Sequence, residues 1–308
     1  MTSMRSLVRL LRLCPFLIVL AFVAAACSSG GEAAPELDGT ADNLTTAEDS
    51  TSTTSQATET DVIGFEQWSM FRGDPARQAF DGQSDLTDET SDGSDEPELL
   101  WRAPTGGVVE SSPAVVEGLV IAGTFDDALI AFDAASGEER WRFSVGGLVR
   151  SSPAVVDGVV YFGADDNIFY ALDAQTGAEL WQFSLGGGGQ QSSPAVADGR
   201  VYFGAFDQNV YAIDAATGEE VWRFETGAGI LSSPLVADGV VSIGSIDGTY
   251  YALDAATGGE LWRFQTTGSI FSSGAQLPAN GDQPDAVVFG SDDGRVRVVA
   301  SSLSLIHI

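Results

Sequence analysis

An all-β fold of four-stranded antiparallel units, stacked side by side as the blades of a β-propeller, is what three observations in this sequence predict. Tryptophans recur at Trp101, Trp141, Trp181, Trp222 and Trp262, in steps of 40, 40, 41 and 40 residues. Ser-Ser-Pro recurs in the same rhythm from Ser111, Ser151, Ser192 and Ser232, and ends as Ser-Ser-Gly at Ser272. Between these marks lie short β-branched and aromatic runs cut by Asp-Gly, Asn and Gly turns, with no window of helical period. A repeat of this length is one supersecondary unit that must stack on its neighbours to bury its apolar face. Four short strands within about 40 residues make a blade.

The second unit shows the grammar. Ser151–Val156 is a first strand, Asp157-Gly158 a tight turn, Val159–Gly163 a second strand and Asp165–Asn167 a polar turn. Ile168–Leu172 is a third strand, Asp173–Gly177 another turn, and Leu180–Phe183 an outer strand beginning at its tryptophan. Asp-Gly favours a two-residue hairpin turn, and the strand residues are those that suit a pleated, buried surface. Across units Asp133, Asp173, Asp214 and Asp254 are each followed by a hydroxyl residue, then Gly137, Gly177, Gly218 or Gly258, then the tryptophan. The carboxylate can accept N–H groups of its own turn and the glycine permits a positive φ, so these positions are structural docking residues rather than chemistry.

Ahead of the repeats the chain reads differently. Residues 1–26 carry Arg5, Arg9 and Arg12 and then an apolar run from Cys14 to Ala26. That run is too short for a bilayer span, which needs roughly 20 residues, and reads as an export signal peptide. Ala24-Ala25-Ala26 before Cys27 resembles a bacterial lipobox, with Ala24 where that motif has Leu. The resemblance implies lipidation of Cys27, and ordinary cleavage at Ala-x-Ala is the alternative. Residues 27–62 are Ser, Thr, Ala, Asp and Glu, too polar to offset ordering entropy, and form a lipid-anchored disordered linker. Residues 63–97 hold a docking segment with Phe65, Trp68 and Phe71, then an acidic loop lacking the alternating oxygen ligands of a calcium-binding loop.

Charge narrows the function. The net charge is −30, all 14 basic residues are arginine, and loss of the leader removes three of them. Such a surface repels phosphate backbones, so no nucleic-acid partner is expected. Cys14 and Cys27 lie in or just after the leader, leaving no disulfide and no thiolate metal cluster.

The pattern Ala-x-Asp-x-x-Thr/Ser-Gly-x-x-x-Trp, with Ser-Ser-Pro-x-Val ahead of it, resembles the pyrroloquinoline-quinone-type (PQQ-like) β-propeller repeats, where it is called the tryptophan-docking motif. The resemblance spans residues 98–300, with four complete blades and a partial fifth that lacks its Trp strand. Trp68-Ser-Met-Phe-Arg-Gly-Asp-Pro resembles the opening of lipid-anchored members. Rings of this family carry seven or eight blades, so the chain is expected to be part of a larger ring and the open reading frame truncated. Leu99–Arg102 is an outer strand without inner ones, which in principle could complete the fifth blade. Residues 301–308 break the repeat and read as a non-native tail. The family divides into quinoprotein dehydrogenases, with a vicinal cysteine pair and a calcium under the quinone, and non-enzymatic propellers such as the scaffold lipoprotein of the outer-membrane assembly machinery. With no vicinal cysteines, and His307 the single histidine, the resemblance implies the second branch, with no catalytic residue, cofactor or metal.

Comparison of the copies then separates fixed from free positions. The Asp-Gly and Asp-x-x-Thr-Gly turns share one face of a blade and hardly vary. On the opposite face the residues before Ser-Ser read Glu110, Arg150, Gln191, Leu231 and Phe271. A uniform scaffold with one variegated face is what a binding surface requires. Arg150 stands out there as a lone cation that Glu110 can pair. The expected function is an exported, lipid-anchored, non-enzymatic protein-interaction scaffold at the outer face of a bacterial membrane. Its partners would be other envelope or extracellular proteins, with the membrane reached through Cys27. A quinone- or carbohydrate-binding sensor is the alternative, and a fragment of a quinoprotein dehydrogenase the third reading.

Overall fold

The computed structural model describes residues 99–279 and 284–301. The segments expected to be a signal peptide, a lipidated Cys27, a linker and a docking segment, together with residues 302–308, lie outside the described residues. The described chain is all β, with no helix among those residues, in five antiparallel sheets.

The first sheet holds β1 (Ala114–Val116), β2 (Leu119–Thr124), β3 (Ala128–Asp133) and β4 (Glu139–Ser144). The second holds β5 (Ala154–Val156), β6 (Val159–Gly163), β7 (Ile168–Asp173) and β8 (Glu179–Ser184). β9 (Ala195–Ala197), β10 (Arg200–Gly204), β11 (Asn209–Asp214) and β12 (Glu220–Glu225) form the third. β13 (Leu235–Ala237), β14 (Val240–Gly244), β15 (Thr249–Asp254) and β16 (Glu260–Gln265) form the fourth. The fifth has three strands, β17 (Ala275–Leu277), β18 (Ala286–Ser291) and β19 (Arg295–Ala300). Each sheet is a meander with its strands paired in chain order. The first strands of successive sheets neighbour one another, β1 by β5, β5 by β9, β9 by β13 and β13 by β17, so they form the hub and the fourth strands the rim.

Burial follows from that stacking. The second and third strands lie between neighbouring sheets and are buried on both faces, as in β6 and β7. Fourth strands keep an alternating exposed pattern, as in β12. Rings fill the gaps between sheets: Phe169 stacks on Phe203 at 4.1 Å and Tyr250 on Phe289 at 4.1 Å. The Asp-Gly turns have both central residues at positive φ, Asp157 at 51° and Gly158 at 77° in the second sheet. That is the type I′ hairpin geometry which matches strand twist.

Three expectations need correction at this level. The first strands are three residues long and exclude Ser-Ser-Pro, because proline has no N–H to give a ladder and the serines bond elsewhere. Ser151 Oγ donates to Gly163 O at 3.1 Å and accepts Gly163 N–H at 3.0 Å, closing the hub end of its own sheet. The second serine ties sheets together: Ser112 N–H donates to Ser152 Oγ at 2.9 Å, Ser152 N–H to Ser193 Oγ at 3.0 Å, and Ser193 N–H to Ser233 Oγ at 2.9 Å. Fourth strands start two residues ahead of their tryptophan, at Glu139, Glu179, Glu220 and Glu260, with a register shift opposite. Leu99–Arg102 takes no strand structure and pairs with no strand of the fifth sheet, while Trp101 docks on the first sheet, the unit that follows it.

Candidate functional site

The docking joints occupy the uniform face. Trp101, Trp141, Trp181 and Trp222 donate Nε1–H to the carbonyls of Ala134, Ala174, Ala215 and Ala255, at 2.8, 2.9, 3.0 and 3.0 Å. Each ring lies on the glycine of the following unit. A Cβ at Gly137, Gly177, Gly218 or Gly258 would fall 2.7 Å from the indole, so only glycine fits. Trp262 makes the same kind of bond, to Ser301 O at 3.3 Å.

The aspartates hold the turns that receive those rings. Asp173 Oδ1 accepts the N–H groups of Gln175 and Thr176 and the Thr176 hydroxyl, at 3.1, 2.8 and 2.7 Å. Asp133, Asp214 and Asp254 do the same with Ser136, Thr217 and Thr257. These bonds stabilise the charged form. They hold Asp173 and Asp254 below the usual 3.8 through the threonine hydroxyl and then its N–H, and Asp133 and Asp214 through the N–H and then the hydroxyl. In the fifth sheet the Arg297 guanidinium draws Asp293 down to about 2. A carboxyl whose pKa is lower folded than unfolded stabilises above the unfolded value and loses that contribution as pH falls through the folded one. The urea midpoint is therefore expected to be flat from about pH 7 to 5 and to drop between about pH 4 and 2. A midpoint unchanged at pH 3 would contradict these assignments.

The opposite face carries the variable positions. Glu110, Arg150, Gln191, Leu231 and Phe271 stand at equivalent places before the first serine of each sheet, along an arc around the hub. The structure brings the first two together: Arg150 Nη1 lies 3.1 Å from Glu110 Oε2 across the joint between the first and second sheets. Arg150 is not a lone cation. Its Nε donates to Asp165 Oδ2 at 3.0 Å, and its guanidinium sits 4.4 Å over the Phe125 ring. Both partners come from turns between second and third strands, which spacing alone does not bring to Arg150. Gln191 and Leu231 are half-buried, and Phe271 is 44% exposed.

Those same turns contain scaffold that their variability conceals. Asp166 Oδ2 accepts Gly146 N–H at 2.8 Å from the incoming link and the Tyr170 hydroxyl at 2.7 Å. Asp207 binds Gly186 and Tyr211, and Asp247 binds Gly227 and Tyr251, in the same way. The signal was present, since Asp126, Asp166, Asp207 and Asp247 recur in the repeat's own steps. Gln190 was also missed. It is buried where Val149, Ile230 and Ile270 stand in other sheets, and its Nε2 donates to Ser192 O. Gln190 Oε1 and Asp165 Oδ1 are buried and take no hydrogen bond, and nothing in the structure explains a polar residue at Gln190. Among the described residues no group of three or more His, Cys, Asp or Glu side chains is placed to hold a metal.

Comparison with known proteins identifies the architecture. The family model described as "Beta-alanine-activating enzyme, beta-propeller" matches residues 91–308. No curated protein matches the chain significantly. Among solved structures, BamB from Moraxella catarrhalis superposes with a TM-score of 0.56 at 24% identity, over 65% of this chain and 60% of that one. Quinohemoprotein alcohol dehydrogenase from Comamonas testosteroni gives a TM-score of 0.65 at 19% identity, over 76% of this chain and 47% of that one. A europium-containing methanol dehydrogenase gives 0.64 at 16% identity, over 75% of this chain and 56% of that one. These likenesses establish the fold, a propeller of PQQ-like repeats. The chain spans 40 to 60% of the length of these and similar solved chains.

Proposed function

The chain belongs to the β-propeller family described for the β-alanine-activating enzyme, and on that premise we propose that it acts as a non-enzymatic protein-interaction scaffold. In this reading it is exported and held at the outer face of a bacterial membrane through lipid on Cys27, with envelope or extracellular proteins as partners. One observation carries the proposal: a rigidly repeated docking face is paired with an opposite face whose equivalent positions are acidic, basic, amide, aliphatic and aromatic. Glu110, Arg150 and Phe271 offer a charged pair and an exposed ring along one arc. A polar rim beside an aromatic anchor is the composition that protein interfaces favour.

The test exchanges Glu110→Gln, Arg150→Gln, Leu231→Asp and Phe271→Asp together and compares cross-linked partners in envelope fractions by mass spectrometry. Specific cross-links are expected to fall at least tenfold. A Glu110→Gln, Phe271→Asp control, which spares half-buried Leu231 and the Arg150–Asp165 pair, should leave the melting temperature nearly unchanged, because exposed ion pairs and surface side chains contribute at most about 1 kcal/mol, and should lose cross-links in the same direction. Undiminished cross-links would defeat the proposal.

A further inference from the structure

The fourth sheet departs from its neighbours at one core position. Two residues before the glycine near the end of the second strand stand Ile121, Tyr161, Tyr202, Ser242 and Val288, tyrosine in the second and third sheets and the one polar side chain without a ring in the fourth. Tyr161 leans against Trp181 with ring centroids 5.8 Å apart and donates its hydroxyl to Ala215 O at 3.2 Å. Tyr202 leans against Trp222 at 5.9 Å and donates to Ala255 O at 3.2 Å. Those two carbonyls are the ones that accept the indole N–H groups, so each joint is a phenol and an indole sharing one acceptor. Ser242 puts a short hydroxyl where those sheets have a phenol at the joint between the fourth and fifth sheets; the Tyr250 ring stacks on the other side of Trp262 at 6.3 Å, and its hydroxyl lies 3.2 Å from Ser242 Oγ.

The space it leaves is open. A cavity of about 360 Å³ lies there, lined by Ser242, Trp262, Leu235, Val240, Val287 and Ser301. Its volume is at the lower end of the range for small-molecule sites, roughly 300–1,000 Å³. Its walls are mainly apolar, with one indole. Ser301 O, which accepts Trp262 Nε1–H at 3.3 Å, takes the place of Ala215 O and Ala255 O. Asp238 and Asp285 stand in its lining, with no cation among the described residues that line it, so an anionic ligand is repelled.

We propose that this cavity is a binding site for a small, uncharged para-substituted phenol, which restores the ring that Ser242 lacks. The phenol ring leans against Trp262 as Tyr161 does against Trp181, and its hydroxyl donates to Ser301 O. The para substituent points toward Ser242, where the tyrosine backbone attachment lies in the other sheets. The site is on a different face from the variable arc, so this inference does not rest on the scaffold reading.

The probe is p-cresol, titrated calorimetrically into the full chain. One molecule per chain is expected, with Kd of about 1 mM or tighter. Toluene should bind about fivefold more weakly for want of one hydrogen bond, and 4-hydroxybenzoate should not bind. Ser242→Tyr supplies the missing ring from the chain itself and Ser242→Ile copies the first sheet; each should weaken p-cresol at least tenfold, and should one variant fail to fold, the other decides. Absence of saturable binding to the unaltered chain at 10 mM, or unchanged affinity in a folded variant, would overturn the assignment.

Discussion

Trp222→Ala is expected to lower the unfolding free energy by about 3 to 5 kcal/mol, the cost of truncating a large buried aromatic residue. Trp222 is 7% exposed, leans on Tyr202, lies on Gly258 and donates to Ala255 O at 3.0 Å. Removing it hollows out the joint between the third and fourth sheets and leaves the Ala255 carbonyl with only the Tyr202 and Arg200 donors. Urea unfolding followed by far-ultraviolet circular dichroism measures the loss. Trp262→Ala is the internal comparison and should cost less, because that indole is half-buried, its N–H bond to Ser301 O is longer at 3.3 Å, and Ser242 offers it no ring on the side away from Tyr250. Equal costs for the two would mean that burial in the joint does not set the energy.

Gly258→Ala is expected to destabilise by about 2 to 5 kcal/mol through two separable causes. Its φ is +72°, a conformation that costs an L-residue roughly 1–2 kcal/mol. The new methyl would also fall 2.7 Å from the Trp222 ring, and overpacking of this kind costs about 1–3 kcal/mol. Gly239→Ala isolates the first cause, since its φ is +74° and nothing lies within 4 Å of the added carbon. In the Trp222→Ala background the steric part should vanish, so the double variant should fall short of the summed single costs by about 1–3 kcal/mol. Strict additivity in urea unfolding would refute direct contact between the two positions as the source of the effect.

The fold was legible because its signals are local and repeated. Asp157-Gly158 sets its own turn, Asp173 bonds within four residues, and the tryptophan step reports the unit length without knowledge of partners. What eluded sequence reasoning depends on residues from different units. Ser152 carries no mark that its hydroxyl would accept the Ser112 N–H forty positions away. Arg150 looked solitary because Asp165 and Phe125 reach it through tertiary folding. Asp166 and Asp207 were read with the turns around them, although their fixed spacing distinguished them from those neighbours. The consequence of Ser242 needed Tyr161 and Tyr202 in space, since in sequence it is one serine among many. Of the variable positions, Glu110 and Arg150 form a contact with each other, while Gln191, Leu231 and Phe271 continue the arc in the later sheets.

Two sets of ties between units, the indole bonds and the hub serine bonds, point the same way along the chain. The indole of each unit is received by the turn of the one that follows, 33 or 34 residues on, and its hub N–H by the hydroxyl of that same successor, 40 or 41 residues on. During synthesis, which presents the N-terminal part first, a freshly emerged unit must wait for about forty more residues before either latch can close. Assembly is therefore vectorial, and the youngest unit on a growing polypeptide is always the loosest, the one from which a protease or chaperone would first gain purchase.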